Sequence, residues 1–453
     1  MNPEHTSADP YGNTAIWRIA GPMILSAVTT PLLGIVDTAV VGHLAQPWYL
    51  GGVAVGGTIF ATLFMGLNFL RMGTTGLTAQ AFGARSDDGV RESLGQPAIA
   101  AIILAALLLA LQRPIIDAAM VLLAPGPEVA EQARLYFAIR IWSAPASLLN
   151  YVLIGWLLGM QNARGPLAMV LTINTVNILL DLVFVLGLGW RVEGVAAATL
   201  LAELAGIGVG SLFVRRALRD RQGSWSSVKL TNPRRYARLL DVNGNLFLRT
   251  MALMFVFAFI TARGARLGDV VLAANAVLMN FQLLLAYALD GMAHAAEALV
   301  GKAAGARDRA GLQRAVARTL RWSLGMAAAF TVAYLLAGAR LIDLMTGIET
   351  VRETARVYLP WLIVSPLISV WSLLNDGLYV GITRSREMMV VMVLSTLGLF
   401  LPAWYLFAEM GNQALWLAFT IFMLGRGLGM HLWFRRLMAV GGVGLPATEE
   451  RNA

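Results

Sequence analysis

Apolar residues in this chain are grouped into long blocks, separated by short polar or Gly/Pro-containing breaks. The blocks run to about 20 to 28 residues, and 18 or more apolar residues with few charges are enough to cross a bilayer core as a helix. The pattern predicts spans near 14–42, 50–80, 93–121, 129–159, 165–189 and 194–215. After a polar stretch, six more are expected near 240–264, 270–300, 315–338, 352–381, 386–408 and 413–435. A dozen spans make the membrane domain the whole protein. The expected fold class is an all-α integral membrane protein with twelve transmembrane helices.

The blocks also repeat, at an offset of about 221 residues. Gly83, Ala84, Arg85 and Asp87 match Gly305, Ala306, Arg307 and Asp308. Pro145 matches Pro366, and with a one-residue slip Gly155, Gly159 and Arg164 match Gly377, Gly381 and Arg386. Leucine matches between apolar helices arise by chance, whereas a steady offset through Gly, Pro and Arg landmarks does not. Two six-span halves follow, 14–215 and 240–438, joined by a basic, polar segment at 216–239 that is expected to lie along the cytoplasmic surface. An even number of spans brings both halves in from the same side. The expectation is a parallel repeat, two pseudo-symmetric lobes around a cavity.

Composition and charge add direction. Charged residues make up 13% of the chain, against about 25% in soluble domains. The net charge of +9 does not point to a nucleic acid partner, because the basic residues sit in the connections between blocks, where they orient a chain in the bilayer. Arg85 and Arg91 follow the second span, Arg164 the fourth, Lys302, Arg307 and Arg309 the eighth, and Arg435 and Arg436 the twelfth. The alternate connections 43–49 and 409–412 hold no Lys or Arg. Both termini are therefore expected in the cytoplasm. The absence of cysteine excludes disulfides, thiolate metal sites and cysteine nucleophiles. Residues 1–13 are polar and mixed in charge, unlike a cleavable leader, so the first block is expected to remain as a helix.

Candidate chemistry lies in the polar residues inside the spans. A carboxylate at mid-bilayer costs about 2.5–3.5 kcal/mol on insertion scales, so such groups usually face a cavity and act there. Asp37 stands deep in the first span, among Ile35, Val36 and Val40. Asn177 and Asp181 are four apart on one face of the fifth span, and Thr199 adds a hydroxyl from the sixth. Together they suit a proton-sharing cluster or a small hard cation such as Na+. Pro22 and Pro31 in the first span each remove a backbone hydrogen bond, so this helix is expected to bend. In the second half, Asp290, Glu297 and Asp376 are candidates for substrate binding or coupling, accompanied by Asn275, Gln282, Asn375 and His294. Blander expectations stand beside these. Glu203 reads as interfacial, Arg71 and Arg249 as snorkelling toward the surface, and Asn174 as interhelical glue.

Three stretches carry a resemblance: Pro31 to His43, Gly76 to Arg85, and Asn177 to Asp181, extended by the Ala-Tyr-Ala-Leu-Asp-Gly run at Asp290. On these the chain resembles the multidrug and toxic compound extrusion (MATE) family, within it the DinF branch, over about residues 14–438. The resemblance implies a twelve-helix antiporter exporting organic, often cationic compounds against protons or sodium. It also implies an acidic cluster in the N-terminal lobe, matching Asp37, Asn177, Asp181 and Thr199, and a bending first helix with its proline at Pro22. The sodium-coupled branch uses acids in spans seven and ten; Asp376 is similar, while span seven offers Arg249.

The resulting expectation is a proton-coupled multidrug exporter of the bacterial inner membrane. It would handle small organic substrates within the lipid bilayer, act as a monomer and need no cofactor beyond its coupling ion. A sodium-coupled exporter using the same cluster and a flippase for a lipid-linked precursor are the alternatives. An enzyme is not expected: no paired metal-binding aspartate motif, His-Glu zinc signature or Gly-x-Ser-x-Gly elbow is present.

Overall fold

A computed structural model describes residues 9–44, 46–225 and 233–439, leaving undescribed the side chains of 30–33, 35 and 233–235. The expectations placed on Pro31 and on the linker residues 226–232 fall outside this description. Every long element is a helix, and no strand occurs among the described residues. In chain order they are α1 (Asn13–Gly42), α2 (Pro47–Gly83), α3 (Asp87–Ala110), α4 (Pro127–Gly159), α5 (Arg164–Gly187) and α6 (Val192–Arg219). Then follow α7 (Pro233–Arg266), α8 (Asp269–Gly305), α9 (Arg309–Met345), α10 (Glu349–Gly381), α11 (Ser385–Leu406) and α12 (Asn412–Ala439). Eleven of them are long and apolar enough to cross a membrane among the described residues; α1, whose side chains are partly undescribed, completes the twelve. Nine of the expected spans fall inside these helices; 93–121, 165–189 and 386–408 run past the ends at Ala110, Gly187 and Leu406, the first of them into a separate short helix, Gln112–Leu123. The helices run further at several ends, because a helix need not stop where the hydrocarbon does.

The chain forms two compact units, Leu25–Leu240 and Met1–Ile24 with Asp241–Ala453. In the first, aromatic and branched side chains gather around Phe60, Tyr136, Phe137 and Ile141, with Val40 and Val41 of α1 and Val192 and Val195 of α6. The core of the second is built on Phe281, Tyr334, Phe400, Trp416 and Phe422. Lipid offers no hydrophobic drive between helices, so close backbone approach and polar pairing do the sorting.

The internal repeat is visible as repeated contacts. A Cβ at Gly155 would sit 2.4 Å from the Arg71 carbonyl oxygen, and one at Gly377 would sit 2.3 Å from the Ala293 carbonyl oxygen. Gly159 meets Thr75 and Gly381 meets Glu297 in the same way, each at 2.7 Å. Every partner is displaced by 222 residues (71 to 293, 155 to 377). Left-handed residues recur in the same register, with φ 54° at both Arg85 and Arg307, and φ 60° and 54° at Gln161 and Thr383. So do the helix starts: Ser86 Oγ accepts from Gly89 N at 3.1 Å and Asp308 Oδ1 accepts from Gly311 N at 2.7 Å. Removing one such cap costs about 1 kcal/mol. Asp308→Ala is expected to lower the unfolding temperature of the detergent-purified protein by a few degrees, and Asp308→Ser to restore most of the loss.

Two local breaks matter for the site. Pro145 cannot donate a backbone hydrogen bond, and α4 passes through a 3₁₀ turn at Ile141–Ser143 just ahead of it. Regular α-helix in α5 ends at Asp181, and Leu182–Gly187 continues as a π-helix. The described start of the linker is held against α3. Asp87 and Asp88 open the first turn of α3 and hold residues 221–224. Arg221 pairs with Asp87 at 2.9 Å, while the backbone N–H groups of Gln222 and Ser224 donate to Asp87 and Asp88, each at 3.1 Å. Arg91, expected in the connection, is buried in α3 and donates to the carbonyls of Gly223 and Arg221. Carboxylates at a helix N-terminus are favoured by its exposed N–H groups, and here they capture a second segment as well.

Candidate functional site

Four residues expected to act together are brought together, from three helices of the unit Leu25–Leu240. Asp37 is half-buried near the end of α1; Asn177, Asp181 and Thr199 are buried. One helical turn separates Asn177 from Asp181, so both project from one face of α5. The amide of Asn177 organises the group. Its orientation follows from its surroundings, since its oxygen would otherwise face two carboxylates. So placed, Nδ2 donates to Asp37 Oδ1 at 3.3 Å and to Asp181 Oδ2 at 3.2 Å. Its Oδ1 accepts from the Thr199 backbone N–H at 3.1 Å and lies 3.2 Å from Thr199 Oγ1. The two carboxyl groups are also within hydrogen-bonding reach of each other. Two carboxyls at this separation can share one proton between them. Asp181 Oδ1 is buried and has no hydrogen-bond partner.

Arg140, which the sequence reading passes over, stands within electrostatic reach of Asp37, Asp181 and Glu203. It is the last residue of regular helix before the 3₁₀ turn, and its guanidinium donates to Tyr136 Oη and lies 4.7 Å from the Phe60 ring. The ring face is electron-rich and accommodates a cation in an otherwise apolar setting. The signal was available: Arg140 is a charge within the expected span 129–159, the criterion that picked out Asp37. Glu203, expected at the interface, is half-buried and accepts from Asn150 Nδ2 at 2.7 Å. Asn174 donates to Thr29 Oγ1 at 3.2 Å and ties α5 to α1.

Pro22 lies in mid-helix, and α1 is helical without interruption from Asn13 to Gly42. The change of unit between Ile24 and Leu25 comes about one turn after it.

The acids of the second half belong to the other unit and divide between two settings. Glu297 is buried and pairs with His294 at 3.1 Å. Asp376 accepts from both Arg249 and Arg426, and Asp290 lies within electrostatic reach of Arg426. Arg249 therefore does not snorkel. It is 8% exposed and its charge is matched by Asp376, 127 residues along the chain. The accompanying amides bind neighbouring helices. Asn275 exchanges hydrogen bonds with Asn412, Gln282 bonds Ser365 and Ser369, and Asn375 donates to the Gly427 carbonyl. Nor does the acid cluster repeat. At the 222-residue offset Asp37 and Asp181 fall at Phe259 and Ala403, and neither 257–261 nor 401–405 contains an acid.

Comparison with known proteins agrees with this architecture. The MatE family model matches residues 22–183 and 246–406. The chain is 46% identical over 422 residues to the Escherichia coli K12 protein named DNA damage-inducible protein F, covering 93% of this chain and 92% of that one. It shares its fold with a crystal structure of MATE in the bent conformation, at a TM-score of 0.86 and 21% identity over 96% of both chains. It also matches the outward-facing conformation of a multidrug resistance MATE family transporter of the MOP superfamily, with TM-score 0.83, 22% identity, and 96% and 97% coverage. Matched in both halves by the family model and across nearly its whole length by a relative at 46% identity, the chain belongs to the MatE family of multidrug and toxic compound extrusion transporters.

Proposed function

We propose that this protein is a secondary active exporter that antiports small organic compounds against protons, with Asp37 and Asp181 carrying the exchanged proton. The observation that carries this reading is the pair of carboxyls from α1 and α5, close enough to share a proton and held on one amide nitrogen. Loading the pair with a proton removes a charge from a buried site and so biases one conformation over another. Asn177 and Thr199 fix the geometry, Arg140 keeps a positive charge beside it, and Pro22 lets α1 bend as the pair changes charge. The lobes that move are the six-helix halves 14–215 and 240–438. The setting is a bacterial inner membrane with both termini in the cytoplasm, and one chain suffices.

Sodium is the competing ion. Asp37, Asp181 and Thr199 offer oxygen ligands suited to it, and Asn177 would add its Oδ1 with the amide turned the other way. The proton is preferred here because two carboxyls within hydrogen-bonding reach of each other can hold one between them without further ligands.

Efflux of a fluorescent organic cation from proteoliposomes, with a pH gradient and a sodium gradient imposed separately, tests the proposal. Transport driven by the pH gradient alone is expected. A strict requirement for sodium would replace the coupling ion, and silence under both gradients would favour a flippase for a lipid-linked precursor.

A further inference from the structure

Both passages of the chain between its two compact units are made inside a helix. α1 begins in the unit that holds Asp241–Ala453 and changes unit between Ile24 and Leu25. α7 begins in the unit Leu25–Leu240 and changes after Leu240. The first helix of each half thus begins within the compact unit of the other half. In both cases the residues ahead of the helix are docked in that same unit, on α9 and α3, two helices related by the repeat.

The dock ahead of α1 is the fuller one. Tyr11 is 4% exposed and its ring lies over Gly311, which leaves no room there for a Cβ. The Tyr11 hydroxyl bonds Asp308, and the charges of Lys302 and Arg314 each stand 5.8 Å from the ring centre. Asp9 accepts from Arg318 Nη1 at 2.6 Å and from the Tyr11 backbone N–H at 3.1 Å, and Asn13 Oδ1 accepts from Trp322 Nε1 at 3.2 Å. The first turns of α1 continue the contact: Ile16, Ile19 and Ala20 are buried, and Gly291 of α8 is filled by Ile24. Ahead of α7, Asp87, Asp88 and Arg91 hold residues 221–224, and Arg91 lies 6.0 Å from the Trp225 ring. Arg238, in the first turns of α7, donates to Gln80 at 2.9 Å. Gln80 and Lys302 are related by the 222-residue offset (80 to 302), so the two docks use the same part of the repeat.

An ion pair as exposed as Asp9–Arg318 adds little stability by itself. What the dock supplies is a held base for α1. The helix is unbroken from Asn13 to Gly42, so Asp37 rides about 36 Å along it from the docked end. A change of charge at Asp37 does work on the rest of the protein only if the other end of the helix resists.

We propose that the segments ahead of α1 and α7 are anchors that stay docked throughout transport, and that Asp9, Tyr11 and Arg318 are positioning residues for the coupling carried by Asp37. This rests on the exporter reading, in which Asp37 takes up the exchanged proton. With the base held, movement at Asp37 is taken up along α1, where Pro22 donates no backbone hydrogen bond. With the base free, α1 shifts as a whole and the proton does no work.

Ethidium efflux from proteoliposomes under a pH gradient, at matched amounts of folded protein, tests the anchor ahead of α1. Tyr11→Ala removes the buried ring and is expected to lower the maximal rate about tenfold with an unchanged KM for ethidium. Tyr11→Phe keeps the ring and is expected to retain most of the rate. Arg318→Lys keeps a charge beside Asp9 and is expected to transport faster than Arg318→Gln. A purely structural dock would lower the unfolding temperature of Tyr11→Ala but leave its rate per folded protein at the wild-type value, which overturns the proposal. Should Tyr11→Ala fail to fold, wild-type rates in both Arg318 variants overturn it instead. The anchor ahead of α7 is tested by a cross-link. A Cβ at Gly223 would lie 3.1 Å from Asp87 Cβ, so cysteines at these two positions are close enough to be joined, and the chain has no other. Gly223→Cys with Asp87→Cys is expected to transport at least as fast oxidised as reduced. Loss of transport on oxidation, restored by dithiothreitol, would mean that the segment releases in each cycle, and it overturns a fixed anchor. Asp37→Asn in the same vesicles separates the two readings. Efflux by Asp37→Asn at the wild-type rate sinks the coupling reading, whereas a silent Asp37→Asn beside a fully active Tyr11→Ala sinks only the anchor.

Discussion

Asp37→Asn is expected to abolish gradient-driven export while leaving a folded protein. The substitution keeps the size of the side chain and its place beside Asn177, but an amide cannot take up or release the exchanged proton. The expected magnitude follows from the driving force. One proton crossing a gradient of one pH unit supplies about 1.4 kcal/mol, enough to hold a substrate gradient of about tenfold. With the membrane potential clamped at zero, wild-type vesicles should approach that ratio and the variant should stay near unity. Asp181→Asn should behave alike, because the proton is shared and neither carboxyl suffices alone. Accumulation by Asp37→Asn equal to wild type, at matched protein content, would remove the N-terminal cluster from the coupling mechanism.

The second large effect concerns packing. Gly155→Val and Gly377→Val are each expected to prevent recovery of folded protein. The added Cβ would lie 2.4 Å from the Arg71 carbonyl oxygen or 2.3 Å from that of Ala293. Both obstacles are backbone inside a long helix, so relief requires whole helices to separate. Overpacking a core ordinarily costs about 1–3 kcal/mol, and here no side chain can rotate away, which puts the cost at the top of that range or above. Gly325→Ala is the contrast, since a Cβ there meets nothing within 4 Å. In a helix interior that change is expected to stabilise by about 0.5–1 kcal/mol. Thermal unfolding of the three variants in detergent separates the cases. Recovery of Gly377→Val at wild-type stability would mean that α8 and α10 do not approach as closely as described.

Much of this was legible before any coordinates. Hydrophobic block length found twelve spans, because bilayer thickness sets that length independently of tertiary packing, but it ran the third on past Ala110 into the separate helix Gln112–Leu123. Asp37, Asn177, Asp181 and Thr199 stood out because a polar group in lipid is expensive wherever it points, and their meeting on three helices matches that signal. The Gly, Pro and Arg landmarks of the repeat were equally visible, and two of its glycine pairs prove to be points of backbone contact.

What stayed hidden shares one cause. Sequence shows which residues lie on one face of a helix, but not the rotation of that helix against its neighbours. Arg249 was assigned to the surface because its partner Asp376 lies 127 positions away and Arg426 lies a further 50 beyond that. Arg140 escaped notice because its significance depends on acids carried by α1, α5 and α6. The hold of Asp87 and Asp88 on residues 221–224 likewise depends on where those residues are placed, 134 or more positions along the chain. The twelve spans, the repeat and the list of costly polar residues follow from local composition and the thickness of a bilayer, which act on each segment separately. Which charges neutralise one another, and which remain poised to bind a proton or a ligand, depends on helix rotation and close approach. Those are fixed only when glycine contacts such as Gly155 on Arg71 and Gly377 on Ala293 lock neighbouring helices together.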